Sequence, residues 1–155
     1  MPAKPFVPPR WIVRTAWRVH RGIAARGPGR GLWRPGERHP WGALTLITVG
    51  RRSGEERRAI VGYLTEGETL HTLAMNGWGE GHPAWWLNLQ ADPRARVMLS
   101  DGSARDVVAH RAVGEERDRL WAAWTAVEPH HIASADHRST PTDVVVLDPV
   151  TVTAS

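Results

Sequence analysis

The hydrophobic pattern of this chain is mostly that of short strands. Ala43-Leu-Thr-Leu-Ile-Thr-Val49 is an apolar, partly β-branched run, and it predicts a buried strand. Glu56 to Leu64 predicts a second strand and Thr69 to Met75 a third. The turns between them are Gly50-Arg-Arg-Ser-Gly54 and Glu66-Gly67-Glu68. Short strands joined by tight turns imply an antiparallel meander. Arg94–Ser100 and Ser103–Val113 form a further hairpin around Asp101-Gly102, and Asp143-Val-Val-Val-Leu-Asp148 is a last buried strand.

Helical spacing occurs in three places. Ile12, Ala16, Val19 and Ile23 recur at helical spacing, with Arg10, Arg14, Arg18 and Arg21 on another face, which predicts a basic amphipathic helix over about 9–26. Pro83 suits the first turn of a short helix that Asp92-Pro93 ends. Gly114 to Val127 is a helix with Glu115 and Glu116 at its start and a stripe of Leu120, Trp121, Trp124 and Val127. Residues 128–142 are polar and read as a loop or lid. The fold class is therefore mainly β with flanking helices (α+β): a small barrel of about six antiparallel strands. Residues 1–42 form an N-terminal arm, the helix plus the Gly/Pro-rich loop 27–42, and residues 43–155 form the barrel domain.

Composition narrows the chemistry. The chain has 155 residues, enough for one domain with its own core, and no cysteine. That excludes disulfides, thiolate metal sites, iron–sulfur clusters and a cysteine nucleophile, and it fits a reducing compartment. No run of 18 apolar residues exists and the N-terminus lacks an apolar signal core, so the expected location is cytoplasmic. Charge is segregated: 13 basic and 3 acidic residues lie within residues 1–58, against 7 basic and 13 acidic in the remainder. All the basic residues except Lys4 are arginine. Arginine binds phosphate and carboxylate bidentately, so the first third suits an anion. A GC-rich genome accounts for much of the arginine count and less well for its segregation.

Two segments gather chemistry. In Gly50-Arg51-Arg52-Ser53-Gly54 with Arg57 and Arg58, turn amides, a hydroxyl and guanidiniums can enclose a phosphate; the alternative is a solvated hairpin tip. Asn76-Gly77-Trp78-Gly79-Glu80-Gly81-His82-Pro83-Ala84-Trp85-Trp86-Leu87-Asn88 is a glycine-rich loop opening a helix. It allows close backbone approach to a ligand, and its three tryptophans can wall a flat ring. Core packing is the alternative for Trp85, which shares a face with Leu89. His130, His131 and His137 match no standard zinc spacing, so no metal is expected. There is no GxxxxGK[ST], GxGxxG, GxSxG or HExxH pattern. The basic helix either packs on the barrel with solvated arginines, closes over the ligand, or lies on an anionic membrane. Nucleic acid is not an expected partner, because the arginines cluster on a loop and arm with no recognised module.

Three stretches, Thr45-Leu-Ile-Thr-Val-Gly-Arg-Arg-Ser-Gly54, Ala74-Met-Asn-Gly-Trp78 and His82-Pro-Ala-Trp-Trp-Leu-Asn-Leu-Gln-Ala-Asp-Pro-Arg94, together resemble the deazaflavin-dependent nitroreductase and quinone reductase family of actinobacteria. The resemblance runs from about Trp11 to Val150. It implies a split β-barrel, coenzyme F420 as cofactor, and hydride transfer to a small electrophilic acceptor such as a quinone, an enone or a nitro compound. It assigns the coenzyme's acidic tail to Arg51, Arg52, Ser53, Gly54, Arg57 and Arg58. The ring is assigned to Ala74, Met75, Asn76, Gly77, Trp78, His82, Pro83, Trp85 and Asn88. The expected acceptor pocket takes Trp17, Trp78, His131 and Ser134, with His131 as proton donor. Arg52 stands where the family often has lysine, Met75 where a hydroxyl is found, and His131 and Ser134 where tyrosines are found. A missing hydroxyl cannot donate to a nitro oxygen, which argues against nitroimidazole reduction and leaves hydride transfer untouched. The resemblance implies a monomer. Peripheral contact with the inner face of the plasma membrane would fall to residues 9–26. The competing reading is a non-catalytic binding protein for a fatty acid or acidic lipid, or for a flavin or haem, on the same barrel.

Overall fold

The computed structural model describes residues 31–75 and 80–150. The helix expected over 9–26 lies outside the described residues. Six strands, β1 (Gly42–Val49), β2 (Glu56–Glu66), β3 (Thr69–Leu73), β4 (Arg94–Met98), β5 (Ala104–Arg111) and β6 (Val144–Pro149), close into an antiparallel barrel in the order β1-β2-β3-β6-β5-β4. Pairing of Leu46 with Val97 on β4 completes the ring. Three helices lie outside it: α1 (Ala84–Ala91), α2 (Gly114–Val127) and α3 (Pro129–Ser134). Trp33 forms an isolated antiparallel bridge with Ala43, so the loop before β1 is tied to the barrel. Among the described residues no helix is long and apolar enough to cross a membrane.

The continuous apolar runs of β1 and β6 have a physical cause. Successive side chains point to opposite faces of a strand. On β6, Val145 and Leu147 enter the barrel interior with Leu44, Leu46, Val97 and Val107, while Val144 and Val146 face outward into a second cluster with Leu73, Leu120, Trp124 and Ile132. Both faces are buried, so apolar residues dominate each, with Thr45 and Thr48 the buried polar exceptions on β1. The inner cluster also takes Trp85, Trp86 and Leu89 from α1. The second cluster is roofed by α2 and α3.

The structure moves some expected boundaries. The third strand ends at Leu73 rather than Met75: Ala74 still donates to the Asp143 carbonyl at 2.8 Å, in line with the β3–β6 register, but the Met75 N–H turns back to the Leu73 carbonyl at 2.9 Å. The polar stretch 128–142, expected to be a loop, contains α3 and a 3₁₀ turn at Ala135–His137. Pro129 starts α3 without losing a helical hydrogen bond, and Ile132 anchors it in the second cluster. One large apolar residue in six escapes a periodicity test but suffices to dock one turn of helix.

Candidate active site

The β1–β2 hairpin and α1 face each other across an open cavity of about 560 Å³. Its walls are Thr48, Gly50, Arg51, Arg52, Ser53, Arg57, Arg58 and Ala59 from the hairpin, and Ala84, Trp85 and Asn88 from the helix. The register of β1 on β2 sets Thr48 opposite Arg57 and Ile47 opposite Arg58, which brings the second arginine pair back beside the turn that carries the first.

The turn is built from its glycines. Gly54 adopts φ +70°, a left-handed conformation that other residues enter at a cost, and its N–H donates to the Gly50 carbonyl at 2.8 Å. A Cβ on Gly50 would come within 2.7 Å of the Ser53 hydroxyl, so this position also excludes a side chain. The Ser53 hydroxyl accepts the Glu55 N–H at 3.2 Å and an Arg57 guanidinium N–H at 3.1 Å.

Asn88 is the strut between the two walls. It is buried, in a helix whose other buried residues, Trp85, Trp86 and Leu89, are apolar. Its Oδ1 accepts from the Arg51 backbone N–H at 3.2 Å and from Arg51 Nη1 at 3.1 Å, while its Nδ2 donates to the Thr48 hydroxyl at 3.2 Å. The buried Thr48 hydroxyl and the Asn88 amide are thereby satisfied, and the helix is pinned to the hairpin tip.

The four arginines are held differently. Arg57 pairs with Glu55 at 3.2 Å and Arg58 with Glu56 at 3.1 Å. Arg51 leans on Asn88, and Arg52 is exposed with no ion-pair partner among the described residues. Two carboxylates against four guanidiniums leave an excess of positive charge at the cavity rim. Exposed pairs of this kind bind weakly, so an incoming anion can displace them at little cost.

The sequence-derived residues divide in two. Arg51, Arg52, Ser53, Arg57, Arg58, Trp85 and Asn88 line one cavity, and Gly54 shapes its turn. Thr48, Gly50, Ala59 and Ala84 line it too; Gly50 and Ala84 lie within the two segments that gathered chemistry in the sequence, whereas Thr48 and Ala59 were not anticipated. Thr48 left a signal, as a hydroxyl in an apolar run. Ala74 is fully buried, and Met75 packs against the second cluster rather than the cavity. His82 and Pro83 lead directly into α1, and the buried His82 Nδ1 has no hydrogen-bond partner among the described residues. Ser134 stands on α3, outside the cavity wall, where its hydroxyl donates to the His130 carbonyl at 3.3 Å. His131 is also on α3. Trp17, Asn76, Gly77 and Trp78 lie outside the described residues. No group of three or more His, Asp or Glu side chains converges to hold a metal among the described residues.

Comparison with known proteins bears on this arrangement. The sequence profile of the F420H(2)-dependent quinone reductase family matches residues 26–149, which include all six strands and both cavity walls. Solved structures share the fold. One described as a domain-swapped dimer is 22% identical with a TM-score of 0.66, covering 92% of this chain and 100% of its own. An F420-H2 dependent reductase, FDR-A, is 23% identical with a TM-score of 0.63, covering 74% of this chain and 95% of its own. HutZ, the heme storage protein of Vibrio cholerae, is 15% identical with a TM-score of 0.55, covering 70% and 82%.

Proposed function

The chain belongs to the F420H(2)-dependent quinone reductase family, oxidoreductases that work with coenzyme F420, and from that premise we propose that its cavity holds this coenzyme for hydride transfer to a small electrophilic acceptor, a quinone, an enone or a nitro compound. The observation that carries the reading is the convergence of four arginines, Trp85 and Asn88 on one cavity.

The residues present suit the group. An acidic tail of phosphate and carboxylates matches a rim of guanidiniums with an unpaired Arg52, and the Gly50–Gly54 turn leaves backbone accessible where a side chain would intrude. Trp85 offers an aromatic wall for a flat ring. Bound and reduced, the coenzyme supplies the hydride; the protein supplies binding, orientation and exclusion of water. Arg52 and Arg58 bind the tail's charge, and Asn88 keeps Arg51 at the rim. His131 is the proposed proton donor to the reduced acceptor, on the grounds of residue type, imidazole being the commonest general acid and base.

The test is a titration of the protein with oxidised coenzyme F420, followed by tryptophan fluorescence. Saturable quenching at micromolar coenzyme is the expected result. No saturable change, together with a thermal shift by long-chain fatty acids, would replace the reading with the lipid-binding one. Replacing Arg52 and Arg58 together by Ala should weaken binding roughly a hundredfold, since each charge-assisted bond is taken at the low end, about 1.5 kcal/mol, for exposed groups. Unchanged affinity would remove the hairpin from the site.

A further inference from the structure

The cavity has one rigid wall and one borrowed one. The hairpin is part of the barrel. Helix α1 is only eight residues long, and its first turn has no side-chain cap. Its apolar residues secure it from below, but its entry is held by polar contacts with a single stretch, residues 138–143, that nothing in the sequence marks as important.

Those contacts are dense. Arg138 donates from Nη2 to the Gly81 carbonyl at 2.7 Å, and from Nη1 to the Ala74 carbonyl at 3.5 Å and the Thr142 hydroxyl at 2.5 Å. The Thr140 hydroxyl accepts the Gly81 N–H at 3.0 Å. Glu80 accepts the Ser139 N–H at 2.9 Å, the Thr140 N–H at 3.2 Å and the Thr140 hydroxyl at 3.3 Å. Asp143 accepts Trp86 Nε1 at 2.9 Å through its carboxylate and the Ala74 N–H at 2.8 Å through its carbonyl. All of these except the Arg138–Thr142 bond, which braces the stretch internally, tie a residue between Ala74 and Trp86 to residues 138–143. Arg117 of α2 donates to the Thr142 carbonyl at 3.0 Å, which ties that stretch in turn to the outer helical layer.

Arg138 is the centre of this arrangement. It is 8% exposed, the most buried guanidinium among the described residues. Burying a charge is costly unless its N–H groups are satisfied, and an apolar side chain of similar volume would be cheaper as filler. A planar fork of five N–H groups, however, can hold two carbonyls at once, which neither an apolar residue nor a lysine can do in the same geometry. The two carbonyls it holds belong to Ala74 and Gly81, which bracket the glycine-rich approach to α1. The Ser139 N–H, with help from Thr140 and the Arg138 charge, holds the Glu80 pKa below the usual carboxylate range against the opposing effect of burial.

We propose that residues 138–143 form a clasp that sets the position of α1, and hence of Trp85 and Asn88 against the arginine hairpin, with Arg138 as its positioning residue. What the clasped cavity binds rests on the coenzyme reading above; that the clasp sets the wall does not.

Hydrogen exchange and coenzyme binding separate the two. In Arg138→Met, exchange of the amides in 81–91 should accelerate at least tenfold while the β4–β5 hairpin, 94–111, stays protected. The coenzyme Kd, and its KM in turnover, should rise about tenfold, with kcat within threefold of the parent. Arg138→Lys, which keeps the charge but not the fork, should recover only part of the affinity. If Arg138→Met does not fold, Thr140→Val, which removes the acceptor for Gly81, should show the same local loss of protection. Unchanged protection of 81–91 in the variant that folds would overturn the clasp, as would an equal loss of protection across 94–111. Should the parent protein bind no F420, a local exchange effect would still support the clasp while the coenzyme reading failed.

Discussion

The helices on the two flanks of the barrel both present tryptophans to it, yet they do opposite work. Under α2 and α3 the interface is apolar and filled. Trp124 sits 3% exposed among Leu73, Val144 and Val146, and its indole N–H donates to Nδ1 of His71 at 3.0 Å. Burial pushes the His71 pKa below its ordinary value despite Glu66 nearby, so the ring is neutral and serves as an acceptor. Under α1 the tryptophans face the barrel, but the hydrogen-bonding groups look outward to Arg51, Thr48 and Asp143, and a cavity of about 560 Å³ is left open. One flank gains stability by excluding water. The other gives up packing to keep cations and an aromatic wall within reach of a ligand. A small barrel can carry an open site on one side because the other is closed.

The contrast makes separable predictions. Trp124→Ala should cost the most, about 3–5 kcal/mol in denaturant unfolding, from the cavity it leaves and the orphaned His71 nitrogen. Coenzyme Kd, measured well below the unfolding transition, should stay within twofold. A large loss of affinity would show that the flanks are not independent. Asn88→Ala should cost less, about 1–3 kcal/mol, for the bonds to Arg51 and Thr48. It should also raise the coenzyme Kd about tenfold, because Arg51 is freed; a stability loss with unchanged Kd would reduce Asn88 to a packing residue.

The smallest effect is one of pH. His110 lies between Asp148 at 2.6 Å and Glu116 at 2.8 Å, linking β5, β6 and the start of α2. Burial disfavours its charge, but the hydrogen bonds to Glu116 and Asp148 outweigh that and raise its pKa above the ordinary value. A raised histidine stabilises the fold fully below about pH 6.5 and loses that effect as pH climbs through its folded value. His110→Gln should therefore lower stability at pH 6 by no more than about 1 kcal/mol, since the ring is half exposed, and the difference should shrink by pH 8. His71 acts with the opposite sign: its buried neutral ring costs stability as pH falls below about 6.5. Denaturant midpoints of the parent and the His110 variant across that range would show both, and a variant difference that grows with pH would contradict the assignment at His110.

Much of the fold was legible in the chain. Apolar runs and tight turns marked all six strands, because a strand buried on both faces reads as a continuous run and hairpins depend on residues adjacent in sequence. The arginine turn was legible for the same reason: Arg51, Arg52, Arg57 and Arg58 are local, and hairpin register alone brings them together. Helix α3 was not, since its single anchor, Ile132, matters only where Val144 and Leu73 already form a surface.

The site was legible only in part. Residue type and order determined that this protein would be a small antiparallel barrel with a cationic hairpin and a tryptophan-bearing helix after a glycine-rich stretch. That Asn88 bridges to Arg51, that Arg138 is buried on the carbonyls of Ala74 and Gly81, and that His110 bridges two carboxylates were decided by closure of the barrel. These contacts mostly join residues tens of positions apart, and no local preference of asparagine, arginine or histidine encodes them. They exist because β1 pairs with β4 and β3 with β6, which fixes where each polar group arrives and which partner it must find to leave water.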